Sequence, residues 1–486
     1  MSTLYAVILG VVEGSPAEWL RSFHCGRDDM MLLGRNYASV CHLERVRKIS
    51  CDTPNNTWNV MNSVADNKII SPFSKGRQHQ LKFQSILSEA AQLFNWQGSR
   101  ATTLVDIAGS LKLTKTCVYY YVKTKEDLVY QCYVSSCDMW LQRARQANSL
   151  DVNGVEKIVA MVRGHFNQYI DTLNGEAPHF AMLTEVSSLD KQHAEDIDRR
   201  WTEIFNLCCE MVEQGMAQNV IEKQDSAIVS SAIFSILQWF PVWLNRAHAA
   251  NPQPVVDAVL DVLLNGLAAQ RHQFTEIDFP DLRYLALDSF DRDVQNRMKR
   301  EAFYRVGSIF FNQKGYKGTS LDEIASSLEV TKGAFYYHIK NKEELLYQCF
   351  NRTLDVERLL LDKAGRVQGS GVEKLEVALR YLFNVQFSEE GPLIRYRALP
   401  SLDEGHRKQI LKATSANSQQ LGAYIRQGLE DKTLRDTDSS VAQYMLSGAV
   451  EASPDLVNKV TDVDSRALSA AYFQLFMNGL ASGGAE

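Results

Sequence analysis

The chain has 486 residues and a net charge of −6. That is too long for one ordinary domain and too acidic for a uniformly basic nucleic-acid coat, though a basic face on an acidic body stays open. The nine cysteines, Cys25, Cys41, Cys51, Cys117, Cys132, Cys137, Cys208, Cys209 and Cys349, form no CxxC pair and no zinc spacing, which points to reduced, cytoplasmic thiols and to no metal or cofactor.

The apolar start at 4–12 has no basic residues before it and runs into Glu13, unlike a signal peptide. No run is read as long enough to span a membrane. Residues 1–78 read as a poorly ordered extension, and Met61 is an alternative start that would make 1–60 an upstream-start artefact.

Apolar residues then recur at Phe83, Ile86, Leu87, Ala90, Leu93 and Phe94, one buried stripe of a helix. Gly98 breaks it. Thr102 or Thr103 caps a short second helix with Leu104, Ile107, Ala108 and Leu111 inward. A tight turn at Lys112 and Leu113 leads to a very short helix capped by Thr114, and Thr124-x-x-Asp127 opens a long helix in capping-box form. Two short helices joined by a tight turn behind a supporting helix make a helix-turn-helix. Residues 75–133 carry eight basic and four acidic side chains, the local excess that a DNA face requires.

The pattern returns. Residues 94–133 and 311–350 align without a gap, 217 positions apart, and about half of the positions are identical. Thr319, Ser320, Leu321, Ile324, Ala325 and Leu328 repeat the second helix, Glu329 and Val330 the turn, Thr331 the cap, and Asn341-x-x-Glu344 the capping box. GVEK at Gly154 meets GVEK at Gly371, Pro241 meets Pro454, and NGLA at Asn265 meets NGLA at Asn478, with the offset reduced by four. The expected organisation is all-α with two tandem units: helix-turn-helix domains at 79–127 and 294–344, helical bodies at 128–272 and 345–486, and between them, at 273–293, an acidic linker able to stretch to roughly 60 Å.

Both copies carry G-x(3)-T-[TS]-L-x-x-I-A, then T-K-x-x-x-Y-Y and [TN]-K-E-[DE]-L, which resembles the signature of the tetracycline-repressor (TetR) family. The resemblance implies sequence-specific DNA binding, with repression as the family default. It implies phosphate contacts from Thr102 or Thr103 with Lys125, and from Thr319 or Ser320 with Lys342. The reading heads would be Thr114, Lys115, Thr116, Tyr119 and Tyr120, and then Thr331, Lys332, Gly333, Tyr336 and Tyr337. Lys donates to guanine, and Tyr reaches phosphate or a thymine methyl. One Tyr of each pair could instead be core, and Cys117 and Ala334 are expected to face the turn or core. Thr116 against Gly333 and Tyr121 against His338 make the heads unlike, so an imperfect palindrome is expected.

Family members hold a ligand between the body helices and dimerise through the last two. Here two such surfaces in one chain can pair as an intrachain pseudo-dimer, and pairing of two chains is the competing arrangement. Arg163, His165, Phe166, Tyr169, Phe180, Trp201, Trp239 and Trp243 are the candidate ligand contacts, with His179 as a further polar anchor, for a small hydrophobic or lipid-like effector. At helical spacing the same aromatics also read as core. No nucleophile motif, phosphate loop, HExxH pair or dinucleotide fingerprint supports an enzyme. A protein-interaction module with degenerate heads is the other alternative, disfavoured by the lysines and tyrosines in both copies.

Overall fold

The computed structural model describes residues 75–280, 282, 292–458 and 464–481. The expected extension and Met61 lie outside them, apart from 75–78, which are already helical. Residues from Ser85 onward belong to one compact unit, which carries both copies of the repeat.

The first copy runs α1 (Lys75–Ala101), α2 (Leu104–Ser110), α3 (Lys115–Tyr121), α4 (Lys125–Asn148), α5 (Gly154–Asn174), α6 (Lys191–Ala217), α7 (Ser226–Trp243), α8 (Arg246–Ala250) and α9 (Gln253–Asn265). The second runs α10 (Arg292–Gly318), α11 (Leu321–Ser327), α12 (Lys332–His338), α13 (Lys342–Gly365), α14 (Gly371–Val385), α15 (Glu404–Glu430), α16 (Ser439–Ala452) and α17 (Ser465–Asn478). The described residues hold no strand beyond two isolated bridges.

Side chains in the sequence set the helix ends. Asn153 and Glu156 close a reciprocal capping box on α5, and Ser370 and Glu373 do so on α14. Asp190 and Asp403 cap the long helices α6 and α15 by accepting from His193 N and His406 N. Of the two boxes expected on α4 and α13, only half forms. Thr124 and Asn341 accept from Asp127 N and Glu344 N, but Asp127 turns to Lys123 N and Glu344 to Gln348.

One asparagine fastens each head to its own body. Asn95 on α1 donates to Phe180 O at 2.8 Å and accepts from Met182 N at 2.8 Å. Asn312 on α10 repeats the clamp on Leu393 O at 2.8 Å and Arg395 N at 3.1 Å.

The bodies meet through α7 and α9 on one side and α16 and α17 on the other. The joining hydrogen bonds come in reciprocal pairs at positions 213 apart. Leu267 N donates to Phe476 O at 2.9 Å, and Leu480 N to Leu263 O at 2.9 Å. Ala268 N donates to Met477 O at 2.9 Å, and Ala481 N to Leu264 O at 3.2 Å. The bridges Ile221–Ala481 and Ala268–Leu434 are the same contact seen twice. Such reciprocity is what a local two-fold axis generates. At the crossing sit Gly266 and Gly479, with φ 69° and 78°. A Cβ on either would lie 2.3 Å from a carbonyl oxygen of the opposite helix, so the backbones can close only over glycine.

Two expectations change here. The linker is not a free tether where it is described. Residues 273–280 run without helix along α14. Tyr381 OH donates to Asp278 O at 2.8 Å, Arg380 to Thr275 O at 2.6 Å, and His272 pairs with Glu376 at 2.8 Å. Glu376 and Arg380 are buried and need partners there. Secondly, α7 is by length and composition apolar enough to cross a membrane, although no such run was expected from the sequence. Most of α7 is buried in the body, which accounts for its composition.

Candidate nucleic-acid interface

Each head is built from a turn that glycine permits. Gly98 (φ 79°) and Gly315 (φ 66°) bend the ends of α1 and α10. Thr102 and Thr319 are then pulled inward, donating to Gly98 O at 2.9 Å and Gly315 O at 2.7 Å. Both are essentially fully buried. This corrects the expectation that either might touch phosphate, because their hydroxyls are consumed in closing the turn. Thr103 and Ser320 hold the cap positions instead. Thr103 and Asp106 form a full capping box. The Thr103 hydroxyl and amide hold the Asp106 carboxyl below its usual range. Ser320 makes no side-chain cap bond.

The turns at Lys112 and Glu329 are left-handed, with φ 54° and 56°. Leu113 N returns to Ala108 O at 2.8 Å and Val330 N to Ala325 O at 3.1 Å, closing the ends of α2 and α11. Thr114 and Thr331 cap α3 and α12 by accepting from Cys117 N and Ala334 N.

On α3 and α12 one side chain faces inward, Val118 and Phe335, both at 0% exposure. The tyrosines all face out: Tyr119 at 45%, Tyr120 at 74%, Tyr336 at 46% and Tyr337 at 83%. Neither tyrosine of a pair is a core residue, because the preceding position fills the core. Cys117 is half-buried, whereas Ala334 is exposed and not turned to the core as expected. Thr114, Lys115, Thr116, Thr331, Lys332 and Gly333 are exposed on the same faces.

The lysines opening α4 and α13 lie at the junctions behind these faces. Burial, and then the neighbouring Lys317, push the Lys125 ammonium down in pKa. Lys342 donates to Thr319 O at 2.8 Å and lies 4.8 Å from the Tyr316 ring centre.

The heads also differ at a position that the sequence motifs do not mark. Val105 on α2 is 53% exposed. Its counterpart on α11 is Asp322, whose carboxylate takes Lys332 Nζ at 2.6 Å and the Tyr336 hydroxyl at 3.4 Å. That carboxylate holds the Lys332 ammonium up in pKa. In the first head Lys115 instead lies 5.4 Å from the Tyr119 ring centre. The signal was present in the aligned sequence as valine against aspartate, but its reach to the lysine depends on how the two helices cross.

In the first body the candidate ligand residues pack on one another. His165 lies 3.6 Å, centroid to centroid, from Trp140, with Phe180 at 5.6 Å. Burial and Arg143 push its pKa down to about 3, which keeps the buried ring neutral. Phe166 meets Phe240, Tyr169 meets Phe180, and Trp201 meets Trp140 and Phe234. Arg163 is buried on the same helix, α5, and burial lowers the pKa of His179. Trp239 and Trp243 reach the second body, although Trp243 also meets Phe240 of this cluster. Trp243 stacks on Tyr444 at 4.7 Å, and Trp239 lines a cavity in the second body.

That cavity, about 90 Å³, is bounded by Trp239, Glu357, Leu382, Arg395, Thr414 and Ser447 among others. Its wall occupies the positions that aromatics fill in the first body. From the helix starts, Glu357 stands where Trp140 does, Leu382 where His165 does, Thr414 where Trp201 does, and Ser447 where Phe234 does. Burial pushes the Glu357 carboxyl up to about 7 although Asn417 donates to it. Arg395 is held by Asp455 at 2.5 and 3.0 Å, and Trp239 Nε1 is buried with no hydrogen-bond partner among the described residues.

Glu343, Asp403 and His406 also come within cation-sharing reach. Hydrogen bonds among them account for this, and the Asp–His cap recurs at Asp190 and His193.

The family pattern of the bacterial regulatory proteins, tetR family, matches residues 86–132 and again 307–349. The tetracyclin repressor-like C-terminal domain matches 151–267. The chain belongs to the TetR family. It is a tandem TetR protein, a transcriptional regulator of the DNA-binding repressor class. Among TetR relatives, the transposon Tn10 TetC protein of Escherichia coli is 28% identical over 148 residues, 29% of this chain and 70% of that protein. The biofilm operon icaADBC HTH-type negative transcriptional regulator IcaR of Staphylococcus epidermidis is 45% identical over 49 residues, 9% of this chain and 26% of that protein. The structure of AibR in complex with isovaleryl coenzyme A and operator DNA is 20% identical with TM-score 0.29, covering 35% of this chain and 95% of that one.

Proposed function

We propose that this chain is an effector-responsive repressor that acts as a covalent pseudo-dimer, in the cytoplasm, on one imperfect palindrome. Domain one of the DNA-binding pair is residues 79–127 and domain two is 294–344. The observation that carries the reading is that two exposed Lys-Tyr-Tyr faces are borne by bodies joined through reciprocal bonds. Thr103, Thr114, Lys115, Thr116, Tyr119, Tyr120 and Lys125 contact one half-site. Ser320, Thr331, Lys332, Gly333, Tyr336, Tyr337 and Lys342 contact the other. The half-sites differ because Val105 offers an apolar surface to a thymine methyl, whereas Asp322 presents a carboxylate that accepts from an exocyclic amino group of cytosine.

The effector enters the second body. Leu393, Ile394 and Arg395 line its cavity, and the same segment is clamped by Asn312 on α10. A ligand that displaces the segment would move the second head. About 90 Å³ is well below the space taken by a drug-sized ligand, so the effector is a small, mainly apolar molecule with one hydrogen-bonding end, and a lipid-like ligand fits less well.

The test is footprinting of the full chain on upstream DNA across a salt series. The wild type is expected to protect two half-sites and to lose affinity steeply as salt rises. Lys115→Ala should weaken protection of one half-site and Lys332→Ala the other. Unchanged protection in both variants would overturn the assignment.

A further inference from the structure

The contact between the bodies is symmetric in its backbone bonds and unsymmetric in its side chains. From the starts of α7 and α16, Ser231 stands opposite Tyr444 in the alignment, Ser235 opposite Gly448, Trp239 opposite Ala452, and Trp243 opposite Leu456. Trp239 lies directly on Gly448. A Cβ added there would sit 2.7 Å from Trp239 Cγ, 2.8 Å from its Cβ and 3.0 Å from its Cδ1. One turn on, Trp243 stacks on Tyr444 at 4.7 Å with 10° between the rings. The two-fold relation therefore sets Ala452 against Ser235 and Leu456 against Ser231, with no aromatic ring in either pair, on the other side of the axis.

We propose that this interface is keyed, so that the first body pairs with the second body of its own chain and rejects a copy of itself. The proposal rests on the pseudo-dimer reading above. In a pair of first bodies, Trp239 would meet Ser235 on both sides of the axis. Each serine Cβ and Oγ would stand where Gly448 leaves room, and Trp243 would lose the stacked ring of Tyr444. In a pair of second bodies, Ala452 would face Gly448 and Leu456 would face Tyr444, leaving two voids of indole size. One wrong pairing is overpacked and the other underpacked, and both are disfavoured relative to the observed one. The strap 273–280 fixes which second body is used. It leaves the first body at Asn265–Gly266 and lies at once along α14, held through His272, Thr275 and Asp278. The key ensures that the two unlike heads are always presented as one of each.

The key also touches the cavity. Trp239, whose ring fills the Gly448 hole, also forms part of the wall of the second-body cavity.

The test uses the full chain and needs no DNA, so its failure is separate from failure of the repressor reading. The first measurement is a thermal double-mutant cycle. Gly448→Ala is expected to lower Tm by ~3 °C or more in the wild-type background, and to leave it unchanged or raise it in a Trp239→Gly background, where the methyl has space and alanine is the better helix former. The second is co-expression of two differently tagged full chains with mass measurement. Wild-type tags are expected not to co-purify, and the mass is that of one chain, 54.9 kDa. The pair Ser235→Gly with Gly448→Trp moves the hole into the first body and plugs the old one. It is expected to give co-purifying tags and twice the single-chain mass. Should the plugged variant not fold, the cycle decides by itself. An equal Gly448→Ala cost in both backgrounds, or mixing of wild-type chains, would overturn the proposal.

Discussion

The two bodies share helices, offsets and reciprocal backbone bonds, yet at matching positions one packs aromatic rings on one another and the other lines a cavity of about 90 Å³. In the first, Trp201 meets Trp140 and Phe234 edge-on, and Trp140 lies tilted on His165. Glu357, Leu382, Thr414 and Ser447 leave a cavity at the same positions in the second. The backbone of a duplicated fold thus tolerates two uses of one interior: stabilisation by aromatic burial, or a partly open space lined by a carboxyl group that burial disfavours in its charged form. Under the proposed function, the duplication released one copy from sensing while keeping its place in the assembly.

The sharpest way to break this comparison is to truncate the filled interior. Trp140→Ala or Phe234→Ala should cost about 3–5 kcal/mol in chemical denaturation. Thr414→Ala or Ser447→Ala, at matching places in the second body, should cost far less. Equal costs would mean that the bodies are not differently packed.

A smaller effect comes from Glu357. Its folded-state pKa is raised to about 7 from an ordinary 4.5. The folded state therefore holds the proton more tightly, and stability should fall as pH rises from about 4.5 to 7 and then level off. Glu357→Gln should flatten that profile, matching wild type near pH 4.5 and exceeding it above pH 7 by on the order of 2 kcal/mol. A wild-type profile that rises through this window would remove the enclosed carboxyl from the picture.

The heads are expected to be unequal in DNA binding. Lys115→Ala should weaken binding to the intact operator about tenfold. Lys332→Ala should weaken it less, because Asp322 already offsets that charge. Asp322→Val should steepen the salt slope by about one unit and shift the preferred base in that half-site from cytosine towards thymine. Identical effects of the two lysine substitutions would show that the Asp322 pair is irrelevant on DNA.

The smallest effect tests where the heads agree. Lys112→Gly and Glu329→Gly relieve the same left-handed turn and should each add about 1 kcal/mol to stability. A gain in one head only would mean that the turns are not equivalent.

Much of the interface was legible in the sequence. Thr114 and Thr331 as caps, Gly98 and Gly315 as breaks, and the outward lysines follow from local propensity and helical period, which neighbouring residues fix. Thr102 and Thr103 could not be separated that way. Which hydroxyl caps depends on the direction the chain takes after Gly98, and the turn consumes Thr102. The aromatics of the first body were ambiguous for a related reason. Periodicity shows that Trp201 and Trp239 are inward, but not whether they face a ligand, each other or the second body.

The sequence by itself determined the duplication, the all-helical class, the two helix-turn-helix heads and their inequality. Each of these is written in residues close together in the chain or in a direct alignment of the copies. Only the tertiary structure decided that the second body holds the cavity, that the linker is strapped to α14, and that Trp239 crosses into its neighbour. These depend on volumes and distances between residues far apart in the chain, which no local pattern encodes.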